Sequence, residues 1–150
     1  MSESKPTSDD EWLTQKSPEQ WIQHALVELE RAQAAFHARD AGAAIAHVKR
    51  AGGMALNGAL IVRRDERWGR KYVEHLRALG ESEDAPAEVR EAARRLCAAR
   101  APGGPVVALR TRSDEERLLE AARTVMAHAY AIVHGSLGRR GSRSDSERES

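Results

Sequence analysis

The residues best suited by type and spacing to do chemistry lie late in the chain, in Arg123-Thr-Val-Met-Ala-His128-Ala-Tyr130. A histidine titrating near neutrality can take up or return a proton. An arginine neutralises charge building on a phosphate, and a tyrosine can stack on a base or donate to a phosphate oxygen. The Arg-x4-His spacing alone is weak. With 20 arginines and 6 histidines in the chain, Arg70 and His75 repeat it, and Arg31 and His37 are one residue wider. The tyrosine sets the third copy apart, because the chain has only 2. The competing reading makes Arg123 and His128 boundary residues of a packed helix.

A second group is Arg63-Arg64-Asp65-Glu66-Arg67-Trp68-Gly69-Arg70-Lys71, whose five basic and two acidic residues surround one tryptophan. Phosphate contacts from Arg63, Arg64, Arg67, Arg70 and Lys71, with stacking from Trp68, would make a nucleic-acid-binding patch. Arg110 and Arg112 could join it. The alternative is a solvated loop anchored by a buried Trp68. No histidine follows a glutamate at the three-residue spacing of a di-iron bundle, and Cys97 is the only cysteine, so neither that centre nor a thiolate cluster is expected. No Gly-x-Ser-x-Gly nucleophile elbow occurs. Gly52, Gly53 and Gly58 precede no Gly-Lys-Ser/Thr and follow no strand, which argues against a phosphate-binding loop. No metal or cofactor is expected.

The elements that must position these residues read as helices throughout. Ser17-Pro18-Glu19-Gln20 has the form of a capping box with proline at the first helical position. It opens a helix to about Arg39 with Ile22, Ala25, Leu26, Leu29, Ala32 and Phe36 on one stripe. Asp40-Ala41-Gly42 makes a tight corner into a second helix over 42–63. Its three glycines each cost roughly 1 kcal/mol against alanine, which predicts close approach of a neighbouring backbone. A charged connection leads to a short helix over 70–79, and Pro86 opens a fourth. Val106–Leu109 reads as a short extended or buried linker. Ser113-Asp-Glu-Glu116 is a second capping box, starting a last helix with Leu118, Ala122, Val125, Met126, Ala129 and Val133 on its stripe. Gly135 and Gly138 are predicted to stop it. Residues 1–16 are expected to form a flexible segment, 17–136 the bundle domain, and 137–150 a disordered tail.

Composition bounds the rest. Hydrophobic residues make up 41%, but 26 of the 150 residues are alanine, and Leu, Ile, Val and Phe together supply another 26. Alanine-rich helices form readily yet lack bulk, so a thin core is expected to gain from a second subunit. A net charge of +1 gives no global pull toward nucleic acid. The absence of a long apolar run or signal peptide predicts a cytoplasmic protein with no membrane partner. The fold class predicted is all-α, an antiparallel up-and-down bundle of four to five helices.

The order of features resembles the HEPN superfamily (higher eukaryotes and prokaryotes nucleotide-binding). In the second helix the family's His, Ala, Ala-Leu and Leu pattern is matched by His47, Ala51, Ala55-Leu56 and Leu60. The short third segment matches with His75, Leu76 and Leu79, the histidine standing one residue nearer than usual. The match covers about residues 18–135. One departure is that Gly52-Gly53-Met54 stands where the family commonly carries a glutamate. Catalytic members use Arg-x4-6-His, extended in the toxin branch by x-Tyr. The resemblance therefore implies metal-independent RNA cleavage by Arg123, His128 and Tyr130. It also implies a homodimer whose site lies at the subunit interface, and possible RNA, nucleotide or nucleotidyltransferase partners in a toxin–antitoxin or defence setting. Arg123 and His128 lie about 140° apart around a helix, so one helix cannot bring both to one phosphate, whereas two facing copies can. A non-catalytic protein–protein interaction module is the alternative, motivated by the small residues of the second helix.

Overall fold

A computed structural model of the chain describes residues 12–100 and 112–149, and among these every regular element is helical. The predicted Val106–Leu109 linker and the segment before Trp12 lie outside the described residues.

Helix α1 (Pro18–His37) begins where its cap dictates. Ser17 Oγ accepts from the Gln20 amide at 3.1 Å, and Gln20 Oε1 accepts from the Ser17 amide at 2.8 Å. These bonds satisfy two amides that the helix leaves orphaned. The helix ends short of the predicted Arg39 because Arg39 turns left-handed, with φ 64. Asp40 Oδ1 then accepts from the Ala43 amide at 3.1 Å and caps α2 (Ala41–Val62). A 3-10 turn over Glu66–Trp68 interrupts the charged connection before α3 (Tyr72–Gly80), α4 (Ala87–Ala98) and α5 (Arg112–Glu149). Helix α5 starts one residue ahead of the predicted cap Ser113, and Gly135 and Gly138 do not stop it. The tail predicted to be disordered carries helical backbone as far as Glu149. Each glycine costs only about 1 kcal/mol there, and no proline follows Pro105.

Contacts fix the directions. Pro18 lies against Gly58 and Glu28 against His47 and Arg50, so α1 and α2 are antiparallel. Gly52 meets Leu96 and Val125, while Ala59 lies beside Ala85 and Ile132. Helix α4 therefore runs opposite to α2, and α5 runs with it. His134 of α5 sits 3.5 Å from Glu19 at the start of α1, as that direction requires. The four long helices alternate down the chain, with the short α3 packed against α2 and α4.

Helix α2 is the central rod, with twelve buried residues. Its glycines divide by what they admit. Gly58 faces the Pro18 carbonyl oxygen, which an added Cβ would meet at 2.8 Å, so here the predicted backbone approach is what the glycine allows. At Gly53 the neighbour is the Tyr72 side chain, and at Gly52 it is Leu76 and Leu96, each 3.2 Å from a would-be Cβ. The close packing is internal to the chain. The α5 stripe is likewise consumed: Leu118, Ala122, Val125, Met126, Ala129 and Val133 are all buried among this chain's own helices.

Candidate functional site

His128 projects from the shoulder of α5 that faces the end of α2. It lines a cleft with Ala59, Arg63, Asp65, Arg67, Trp68, Asp84 and Ile132. The fold thus joins two groups that are far apart in sequence, the late histidine and the basic connection. Arg63 caps the C-terminus of α2 in extended backbone and lies exposed, with no ion pair among the described side chains. Arg67 is held in place by Asp65, which takes two hydrogen bonds from its guanidinium, at 2.9 and 2.6 Å. The bond from Arg67 lowers the Asp65 carboxyl, and Arg67 is raised in return. Half-burial pushes the His128 imidazole below the ordinary histidine range, and the Arg63 charge adds to that shift. A neutral imidazole that feels the Arg63 charge, in a cleft that Arg67 also lines, can accept a proton next to bound phosphate.

The other two residues of the late motif lie elsewhere. Arg123 is exposed and pairs with Glu120 at 3.5 Å. Tyr130 is half exposed and packs on His134, with ring centroids 4.1 Å apart. Within one chain neither lines the His128 cleft, as the helical angles predict.

The basic connection also divides. Trp68 is 8% exposed and packs against His75 at a centroid distance of 6.2 Å, so it anchors the loop; stacking on a base would require it to leave the core. Arg70 lies over the Trp12 ring at 5.3 Å. Glu74 Oε1 accepts from the amides of Arg70 and Lys71, at 2.8 and 3.0 Å, and so shapes the start of α3. Gly69, with φ 66, makes the preceding turn. Arg64 and Lys71 are exposed on this connection, and Arg112 is exposed at the start of α5; Arg110 lies outside the described residues.

His75, matched to the family pattern and part of a second Arg-x4-His copy, is fully buried. Burial holds it neutral, against the upward pull of the Trp68 carbonyl. Its Nδ1–H donates to that carbonyl at 2.8 Å, and Nε2 lies 2.7 Å from the side-chain amide of Asn57. The Asn57 atom at that distance is Oδ1, and a neutral ring protonated at Nδ1 bonds this side chain only with the amide turned over to present its NH2 group. Trp12, Trp68 and Tyr72 surround the ring. This histidine has no access to a ligand.

One cluster escapes sequence reasoning. Glu28 is buried on α1, and His47 of α2 donates Nδ1–H to its Oε1 at 2.7 Å. Arg50 donates to the same oxygen at 3.2 Å, and Arg31 donates to Oε2 at 2.8 Å. Burial pushes the Glu28 carboxyl upward, but the His47 hydrogen bond and the Arg50 charge outweigh it, and the group stays below its ordinary range. The available signal is a glutamate three residues after Ala25, on the apolar stripe of α1, where an ionised group must find partners.

Among the described residues no three His, Cys, Asp or Glu side chains gather as metal ligands, and no helix is long and apolar enough to cross a membrane. No protein-family model, no curated protein and no solved structure matches this chain.

Proposed function

We propose that this chain is a HEPN-like helical bundle that binds RNA and cleaves it without a metal, with His128 moving the proton. The observation that carries this reading is the cleft in which His128 meets Arg63 and Arg67. In the step proposed, neutral Nε2 or Nδ1 of His128 takes the ribose 2′-hydroxyl proton as O2′ attacks phosphorus. The P–O5′ bond breaks, leaving a 2′,3′-cyclic phosphate, and the imidazolium returns its proton to the departing 5′ oxygen. Arg63 and Arg67 balance the charge that builds on the non-bridging oxygens.

Arg123 and Tyr130 enter this site only from a second copy. The apolar stripe of α5 is occupied, so two copies would meet through the outward face, where exposed Ala127 and Ala131 lie between the His128 shoulder and the Tyr130 shoulder. By resemblance, a nucleotidyltransferase-type partner and a toxin–antitoxin or defence role belong to the same proposal. The test is cleavage of single-stranded RNA by purified protein in EDTA. His128→Ala is expected to lower the rate by at least about 100-fold, and Arg63→Ala to weaken RNA binding. Undiminished cleavage by His128→Ala would remove the histidine from the reaction.

The second reading is a non-catalytic interaction module. It is favoured by the exposed apolar side chains of Leu26 and Val27 on α1 and Val73 on α3, rather than by the small residues of α2, which are covered from within. Under it, Leu26→Glu would abolish partner capture while His128→Ala stayed silent.

A further inference from the structure

The Glu28 cluster is a stronger arrangement than a clasp between two helices needs. A single basic partner neutralises one buried carboxylate. Glu28 has two arginines and a histidine, so with a neutral imidazole the group still carries surplus positive charge. Each arginine gives Glu28 one of its five N–H bonds, and Arg31 and Arg50 have side chains 59% and 41% exposed. Among the described residues, Glu28 is the only carboxylate that these three basic groups pair with. The carboxylate fixes where the guanidinium heads stand, which removes most of the ordering cost of assembling them around an anion. It also places the His47 proton on Nδ1, leaving Nε2 as the free ring nitrogen.

We propose that Arg31, Arg50 and His47, held by Glu28, bind a phosphate monoester. Guanidinium forks match the tetrahedral oxygens of a terminal phosphate. Nε2 of His47 accepts the P–O–H of the monoanion, a hydrogen bond that a phosphodiester, lacking that proton, cannot offer. Glu28 is a positioning residue and makes no contact with the ligand. This inference does not rest on the RNA-cleaving reading, which uses other residues.

The test titrates inorganic phosphate and, separately, a nucleoside 5′-monophosphate into the full chain, following heat and the His47 ring proton resonances. Both probes are expected to saturate in the millimolar range or tighter and to move the His47 signals. Arg50→Gln and Arg31→Gln should each weaken binding by about tenfold or more, with helicity unchanged, since both side chains are substantially exposed. Arg50→Lys, which keeps the charge and loses the fork, should fall between. Arg95→Gln, on α4 and paired only with Glu91 among the described residues, should bind as wild type. No saturable binding of either probe, wild-type binding in both arginine-to-glutamine variants, or a matching loss in Arg95→Gln would overturn the assignment. The failure of either site leaves the other standing, because cleavage in EDTA reads His128 and the His47 ring resonances read the Glu28 cluster.

Discussion

His75 and His128 are both held neutral by burial, and this has a definite sign for stability. Their folded pKa values are lowered from 6.5, so as pH falls the unfolded chain takes up protons first. The stability they contribute is fully present above about pH 6.5 and is lost as pH drops through 6.5 toward the folded values. Glu28 adds a separate loss at lower pH, since its carboxyl is lowered from 4.5 and its pairing fails only as it is protonated. Urea midpoints at pH 7.5 and 5.5 should therefore differ, the more acid sample being less stable. His75→Gln should cost about 1–3 kcal/mol at pH 7.5, because it strands the Trp68 carbonyl or the Asn57 amide, and should flatten the profile between the two pH values. An unchanged slope in that variant would place the titration elsewhere. The Arg-x4-His spacing by itself could not separate these histidines. Arg70/His75 and Arg123/His128 have the same spacing, and what distinguishes them is burial, which depends on Asn57, 18 residues away, and on the aromatic rings that close over His75. Glu28 and His47 are 19 residues apart, and no local pattern links them.

At the scale of elements, most helix bounds were legible to within a few residues, and the end of α5 was not. Ser17 with Gln20, and Asp40, satisfy orphaned amides with side chains that can be read directly. Stops depend on glycine, which permits a break without forcing one. Gly58 and Gly135 make the contrast measurable. Gly135 has nothing within 4 Å of an added Cβ, so Gly135→Ala should stabilise α5 by up to about 1 kcal/mol. Gly58 touches backbone, which cannot step aside as a side-chain end can. Gly58→Ala should destabilise by about 1–3 kcal/mol despite alanine's better propensity. Thermal unfolding of the two variants checks both signs. The bulky Gly52→Leu substitution would be felt as a fold defect, because that position lies under Leu76 and Leu96.

At the scale of the whole molecule, the all-helical class followed from periodicity and from the absence of strand patterns, while the arrangement of the helices needed long-range contacts. The merging of the basic connection with His128 is of that kind: about sixty residues separate them, and they meet because α5 runs in the same direction as α2. Assembly is tested by mass. If Arg123 and Tyr130 act from a second copy, light scattering should report a dimer at micromolar concentration. Tyr130→Glu should then yield monomers and slow RNA cleavage, while His128→Ala keeps the dimer mass. A monomer throughout would remove Arg123 and Tyr130 from the reaction and leave the Arg63–His128 cleft to act alone.

Helix α2 carries one further implication. Arg50 and Ala59, nine residues apart, project in opposite directions from the same rod, the first at the Glu28 cluster and the second in the His128 cleft. A bound anion on one flank is shielded from the other by the thickness of the packed interior. The two occupancies should therefore be additive, with each dissociation constant indifferent to whether the opposite flank is filled.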